Sequence, residues 1–208
     1  MNSVWDNVSF FEKEVASFCN ARYGIAVDSC SNALFLTFKY LSTICDKQVV
    51  KVPKRTYISV PMSIIHAGFD VEFVDYDWEG SYNLFPYSVT DSACEFKENI
   101  HTSDFTCLSF HFKKIIPIGR GGMILTNDSK AASWLRKARY DGRDSYFYND
   151  ILETGVDVLG YHMYMTPEQA SRGIEQFYRA KNNSKTICGN SSEYKVDLSE
   201  LNVFKKNV

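Results

Sequence analysis

The sequence predicts an α/β fold, a mostly parallel sheet of about six strands with flanking helices. The order of its residues leads there. Short apolar runs of five to seven residues, bounded by Gly, Pro or Asp, alternate with stretches whose apolar residues recur every third or fourth position. Such alternation is the mark of parallel strands joined by crossover helices. Hydrophobic residues make up 45% and aromatic residues 15% of the 208, enough apolar surface for one large core.

Phe11, Val15 and Phe18 have helical spacing, which predicts an amphipathic helix over 8–20 that stops near Gly24. GIAVDS at 24–29 reads as a strand, Cys30, Ser31 and Asn32 as a small-residue turn, and Leu34, Phe38 and Leu41 as the apolar stripe of the next helix. VVKVP at 49–53 predicts a second strand, Tyr57 to Ala67 another helix, and DVEFVD at 70–75 a third strand. After a loop with Gly80, Asn83 and Pro86, three more strands are expected at 87–93, 105–111 and 122–127, the last followed by a basic helix at 129–139. Residues 140–160, polar and aromatic with Gly142 and Gly155, read as a long loop. Thr166, Pro167 and Gln169 make a capping-box start, and Ala170, Gly173, Ile174 and Phe177 give that helix one apolar face. From Asn182 onward apolar residues are few. The expected organisation is one domain over 1–181 and a tail over 182–208, laid on the surface or on a partner chain.

A net charge of -2 with mixed signs gives no basic stripe, which argues against nucleic acid as a partner. There is no apolar run of about 18 residues and no basic-then-apolar leader, so a cytoplasmic protein with no membrane partner is expected. The six cysteines, at 19, 30, 45, 94, 107 and 188, contain no C-x-x-C pair and read as reduced, mostly buried thiols without zinc.

The segment SFHFKKIIPIGRGGMILTND at 109–128 carries the most specific signal. Its Gly-rich part precedes a strand and does not open a helix, so it is no dinucleotide fingerprint. With its Ser109, Lys114, Gly119, Gly121 and Gly122, it resembles the S-F-x-x-x-K motif and following glycines of the DegT/DnrJ/EryC1/StrS family of sugar aminotransferases. The resemblance runs from the Phe11 helix to about Ala180. It implies the large domain of a fold-type I transferase that uses pyridoxal 5'-phosphate as cofactor.

By this resemblance Lys114 holds the cofactor covalently through its amine and later moves a proton, for which the site must depress its pKa. Lys113 is the off-register neighbour, since successive side chains of an extended strand face opposite ways. The plain alternative is a solvated basic pair. VTDSACE at 89–95 resembles the motif that places an acidic residue against the pyridine nitrogen, here Asp91, where a carboxylate keeps that nitrogen protonated. An Asp at a strand end is otherwise a turn or cap residue. Cys94 stands where the family usually has Gln or His near the ring oxygen. VDSCSNAL at 27–34 is similar to the family's phosphate-holding turn, so Ser31, Asn32 and the N–H groups of the following helix would bind the phosphate, with Ser109 a further donor. Ser31 would equally serve as an ordinary helix cap. In VPKRTYIS at 52–59, Tyr57 matches the aromatic residue stacked on the ring, or else packs in the core. In GYHMYMTPEQASRG at 160–173, His162 takes the place of an Asn that reaches a neighbouring subunit's phosphate, and Tyr164 replaces an expected Arg. A lone His is also a common surface or packing residue.

Two parts of the family pattern are missing. Residues 77–91 are too short for the strand-and-helix unit expected there, because a crossover needs about a dozen residues or more. The stretch after 180 is too short and too polar for the family's C-terminal small domain. The resemblance implies a homodimer with shared active sites that moves an amino group, with glutamate as donor, to a nucleotide-linked keto-sugar. Two alternatives stay open. One is a related sugar dehydratase, whose relatives typically carry His in place of the lysine. The other is a non-catalytic partner of a full-length enzyme.

Overall fold

The structure is a computed structural model that describes residues 5–143 and 156–205. Most of the loop expected at 140–160 lies outside the described residues. Among the described residues, five helices and seven strands carry the architecture: α1 (Asp6–Phe18), β1 (Tyr23–Val27), α2 (Cys30–Ile44), β2 (Val50–Pro53), α3 (Ser59–His66), β3 (Val71–Val74), β4 (Tyr82–Asn83), β5 (Val89–Ser92), β6 (Phe105–Ser109), β7 (Gly122–Thr126), α4 (Ser129–Arg139) and α5 (Pro167–Lys181). A one-turn helix α6 (Asn202–Lys205) follows two 3-10 turns near the end.

The sheet lies between two helical layers, and side-chain alternation along its strands shows why. Ile25, Val27, Cys107 and Ile124 face a core shared with α2, α3 and α4. Ala26, Leu108, Met123 and Leu125 face the other way, onto α1 and α5. Strands buried on both faces must be apolar throughout, as the runs GIAV and GMIL are. Helix ends are set locally. Asp128 caps α4 through Lys130 and Ala131, and Thr166 and Gln169 complete the capping box of α5.

The α/β class holds, but the strand directions correct the expectation of a mostly parallel sheet of about six strands. The main sheet has five strands in the order β1-β7-β6-β5-β4, and β2 and β3 form a separate parallel pair. β5 and β6 are parallel, whereas β7 runs antiparallel to both β6 and β1, and β4 antiparallel to β5. The cause is the segment 110–121, which contains no helix. A parallel return needs a crossover, and this segment instead folds back on β6 through Phe110 N–H to Gly121 O (2.9 Å) and Ile118 N–H to Phe110 O (3.1 Å). In the short stretch 77–91, β4 makes a small hairpin with β5, and Lys51 N–H donates to Phe85 O (2.6 Å) to join the pair β2-β3 to it.

The C-terminal residues 186–205 form a strap. It is laced to the body by Phe96 N–H to Thr186 O (2.8 Å), Cys188 N–H to Cys94 O (2.8 Å), Gly80 N–H to Gly189 O (2.9 Å), Ser191 N–H to Trp78 O (2.9 Å) and Leu198 N–H to Lys54 O (2.8 Å). Its far end is pinned by Lys54, whose ammonium reaches both Asp75 and Asp197 at 3.0 Å, and by buried Phe204 against the Phe73 ring.

Candidate functional site

Strands β1, β2, β5 and β6 end on the same side of the fold, and the segments that follow them enclose a cavity of about 640 Å³. Open α/β sheets bind ligands at this end of their strands, and the volume is in the range of small-molecule sites. The cavity wall brings together Ser31, Tyr57, Asp91, Cys94, Ser109 and Lys114. Asn32 and His162 are not among the lining residues.

The start of α2 forms one wall. Ser29, not Ser31, is its cap: the Ser29 hydroxyl accepts from Asn32 N–H at 3.2 Å. Asn32 therefore contributes its backbone to the cap, while its side chain donates to Asp28 at 2.6 Å, away from the cavity. Ser31 is left with its hydroxyl 2.6 Å from that of Ser59. A helix start presents N–H groups without intrahelical acceptors and a partial positive charge, so these two hydroxyls stand at a place suited to an anion. Gly122 allows β7 to press against this turn. A Cβ there would lie 2.5 Å from the Ser29 carbonyl carbon, which leaves no room for a side chain.

Asp91 sits on β5 and is 3% exposed. The Tyr82 hydroxyl donates to Oδ2 at 2.6 Å and Ala93 N–H to Oδ1 at 3.0 Å, while Thr56 Oγ1 stands 2.6 Å from the Tyr82 hydroxyl. Burial raises the pKa of this carboxyl, and the two hydrogen bonds and the nearby Lys114 charge oppose it. Burial and the Asp91 charge together push the Tyr82 phenol well up, so it is a firm donor.

Lys114 lies in a turn beyond β6, so strand alternation does not separate it from Lys113 as the sequence suggested. The contacts do. Lys114 Nζ donates to Cys94 Sγ at 3.0 Å, whereas Lys113, also at the cavity wall, holds its ammonium 5.6 Å from the centre of the Phe112 ring. The expectation of a depressed lysine pKa is not met. Burial works against the ammonium, but the hydrogen bond to Cys94 and that sulfur's charge outweigh it, and the Lys114 pKa lies above the ordinary value. A hydrogen bond from Cys188 draws the Cys94 thiol well down against burial, assisted by Lys114, while the proton retained by the pair pushes Cys188 up. These shifts favour an ammonium on Lys114 facing a thiolate on Cys94 across the 3.0 Å contact.

Tyr57 lies at the mouth, 59% exposed, which fits neither core packing nor a ring already covered on both sides. His162 is on another surface, paired with Asp141 at 3.2 Å and edge-on to Tyr164, whose own ring packs on Trp5 and Tyr140. Sequence reasoning missed Tyr82, Ser59 and the strap residues Cys188, Glu193 and Tyr194, all of which line the cavity. Tyr194 meets Trp78 at 5.7 Å between ring centres. The single cysteine of the mostly polar tail, Cys188, was the one available signal.

A family model described as the DegT/DnrJ/EryC1/StrS aminotransferase family matches residues 2–100 and 92–207. The chain belongs to the DegT/DnrJ/EryC1/StrS aminotransferase family. Among curated relatives it is 27% identical to the spore coat polysaccharide biosynthesis protein SpsC of Bacillus subtilis, over 83% of this chain and 56% of that protein. It is 25% identical to the GDP-perosamine synthase of Caulobacter vibrioides, over 86% of this chain and 58% of that protein. The chain thus spans about half the length of the curated relatives it matches. The SpsC alignment runs over 221 residues while using 83% of a 208-residue chain, so parts of the relative have no counterpart within the aligned region. The fold is shared with proteins of known structure. An aminotransferase from Psychrobacter cryohalolentis superposes with a TM-score of 0.69 at 21% identity, covering 84% of this chain and 56% of that one. DesV of S. venezuelae, solved with a ketimine intermediate, gives 0.69 at 18% over 84% and 57%. Among the described residues, no helix is long and apolar enough to cross a membrane.

Proposed function

We propose that this family member is a pyridoxal 5'-phosphate-dependent aminotransferase that moves an amino group, with glutamate as donor, to a nucleotide-linked keto-sugar. The observation that carries the reading is the placement of Lys114 and Asp91 in one cavity with the start of α2. Pyridoxal phosphate presents an aldehyde, a basic ring nitrogen and a phosphate. The cavity offers a primary amine, a buried carboxylate, and a helix start flanked by Ser31, Ser59 and Ser109. The donor set fits the group. The relatives' names, a polysaccharide biosynthesis protein and a GDP-perosamine synthase, support a sugar substrate.

In this reading residues 1–181 are the cofactor-binding domain and 182–208 the C-terminal tail, whose residues 186–205 form the strap beside the cavity. When bound, the cofactor supplies an electron sink at the substrate carbon. Asp91, fixed by Tyr82 and Ala93, holds a proton on the ring nitrogen, and Ser31, Ser59, Ser109 and the α2 N–H groups hold the phosphate. Tyr57 covers a ring face. Lys114 is nucleophilic only as the neutral amine, so its ammonium must first give up a proton, and Cys94 Sγ, 3.0 Å away, opposes that loss until its charge is neutralised. Cys94 then carries the role usually given to Gln or His as a thiol. His162, exposed and outside its own chain's cavity, is available to a second copy in a homodimer with shared sites.

A binding-only role for the same cavity is favoured by one observation, the 3.0 Å contact of Lys114 Nζ with Cys94 Sγ, which raises the lysine pKa. Absorbance separates the two. Adding pyridoxal phosphate to the 208-residue chain is expected to produce the visible band of lysine-bound cofactor, and glutamate is expected to bleach it. A band unmoved by glutamate supports binding alone, and no band removes the cofactor reading.

A further inference from the structure

The strap brings a second sulfur to Cys94, and the backbone fixes how the two meet. Glu95 and Ile187 form an antiparallel bridge, flanked by Phe96 N–H to Thr186 O and Cys188 N–H to Cys94 O, both 2.8 Å. In that register Cys94 and Cys188 stand directly opposite each other. Opposed residues at a hydrogen-bonded position have Cα atoms about 5.5 Å apart with side chains on one face, which is the usual Cα separation of a disulfide, about 5.5–6 Å. Both cysteines line the cavity, so a small solute has a way in.

We propose that Cys94 and Cys188 are a redox-sensitive dithiol, a modification site that a small peroxide converts to a disulfide, stapling the strap to the cavity wall beside Lys114. The other cysteines lack this arrangement. Cys19 and Cys107 are fully buried, Cys45 is exposed elsewhere, and Cys30 faces the Asp91 carboxylate at 4.0 Å, where a thiolate is disfavoured.

The chemistry balances with one peroxide. The Cys94 thiolate attacks a peroxide oxygen, the O–O bond breaks, hydroxide leaves, and Cys94 becomes a sulfenic acid. The Cys188 sulfur then attacks Cys94 Sγ, the S–O bond breaks, and the hydroxyl departs as water with the Cys188 proton. Two electrons pass from the sulfurs to the peroxide. Lys114 loses its thiolate acceptor in the same event, so oxidation changes both the strap and the charge partner of the lysine. None of this requires the cofactor.

The test uses the full chain without cofactor, treated with hydrogen peroxide at one equivalent, then alkylated and digested without reductant. The expected product is a single cross-linked peptide pair joining Cys94 to Cys188, with alkylation lost at both and restored by dithiothreitol. Amide exchange at Gly80 and Ser191, which bond the strap to the body, slows in the oxidised form. Cys188→Ser keeps a hydroxyl donor to Cys94, preserves folding, and yields no cross-link. Cys94 left fully alkylatable, oxidised past the sulfenic acid without a cross-link, or joined to another cysteine would overturn the proposal.

Discussion

Lys114→Ala is expected to leave a folded chain that transfers no amino group, with steady-state transfer from glutamate lowered by at least about a thousandfold. A positioned acid–base group alone contributes roughly 10²–10⁴, and this variant also loses the nucleophile. The cavity should survive, because Lys114 reaches it from a turn and among the described residues its side chain makes one hydrogen bond, from Nζ to Cys94 Sγ. Lys113→Ala provides the contrast. Its ammonium rests on the exposed Phe112 ring, and a change there should alter the rate by no more than about twofold. Comparable losses in both variants would show that neither lysine has a distinct chemical role.

The second large effect is expected from Asp91→Asn. An asparagine keeps the shape: its one oxygen accepts from Ala93 N–H, and its amide N–H donates to the Tyr82 hydroxyl, which turns its own proton to Thr56, so the cavity floor stays packed. What disappears is the negative charge facing the ring nitrogen. A hydrogen bond involving a charged group contributes about 1.5–3 kcal/mol, so the rate of the glutamate half-reaction should fall by roughly ten- to a hundredfold. Rapid-mixing absorbance reads that rate directly. Wild-type speed in Asp91→Asn would remove Asp91 from the chemistry.

The sequence made the local parts of this molecule legible. Helix α4 begins and ends where its periodicity places it, because its start is fixed locally by Asp128 accepting from Lys130 and Ala131. The common cavity of Ser31, Tyr57, Asp91, Cys94, Ser109 and Lys114 follows from motif spacing at the ends of successive strands. What stayed hidden depends on contacts between distant residues. The antiparallel course of β7 arises from loop 110–121 folding back on β6. Tyr82 reaches Asp91 only because the short stretch 77–91 forms a hairpin. The strap was read as a polar tail because backbone hydrogen bonds and two buried anchors, Leu198 and Phe204, hold it in place of an apolar stripe. The charge state of Lys114 was misread for the same reason, since it is set by Cys94 and, through it, by Cys188, 94 positions further along the chain.

The most direct test of the account is to incubate the wild-type chain with pyridoxal phosphate, reduce with borohydride, and map the modified peptides by mass spectrometry. Cofactor mass fixed on Lys114, and absent from Lys113 and the surface lysines, is the predicted result. Mass on Lys113, scattered over surface lysines, or on no lysine at all would contradict the claim that this cavity is built around Lys114.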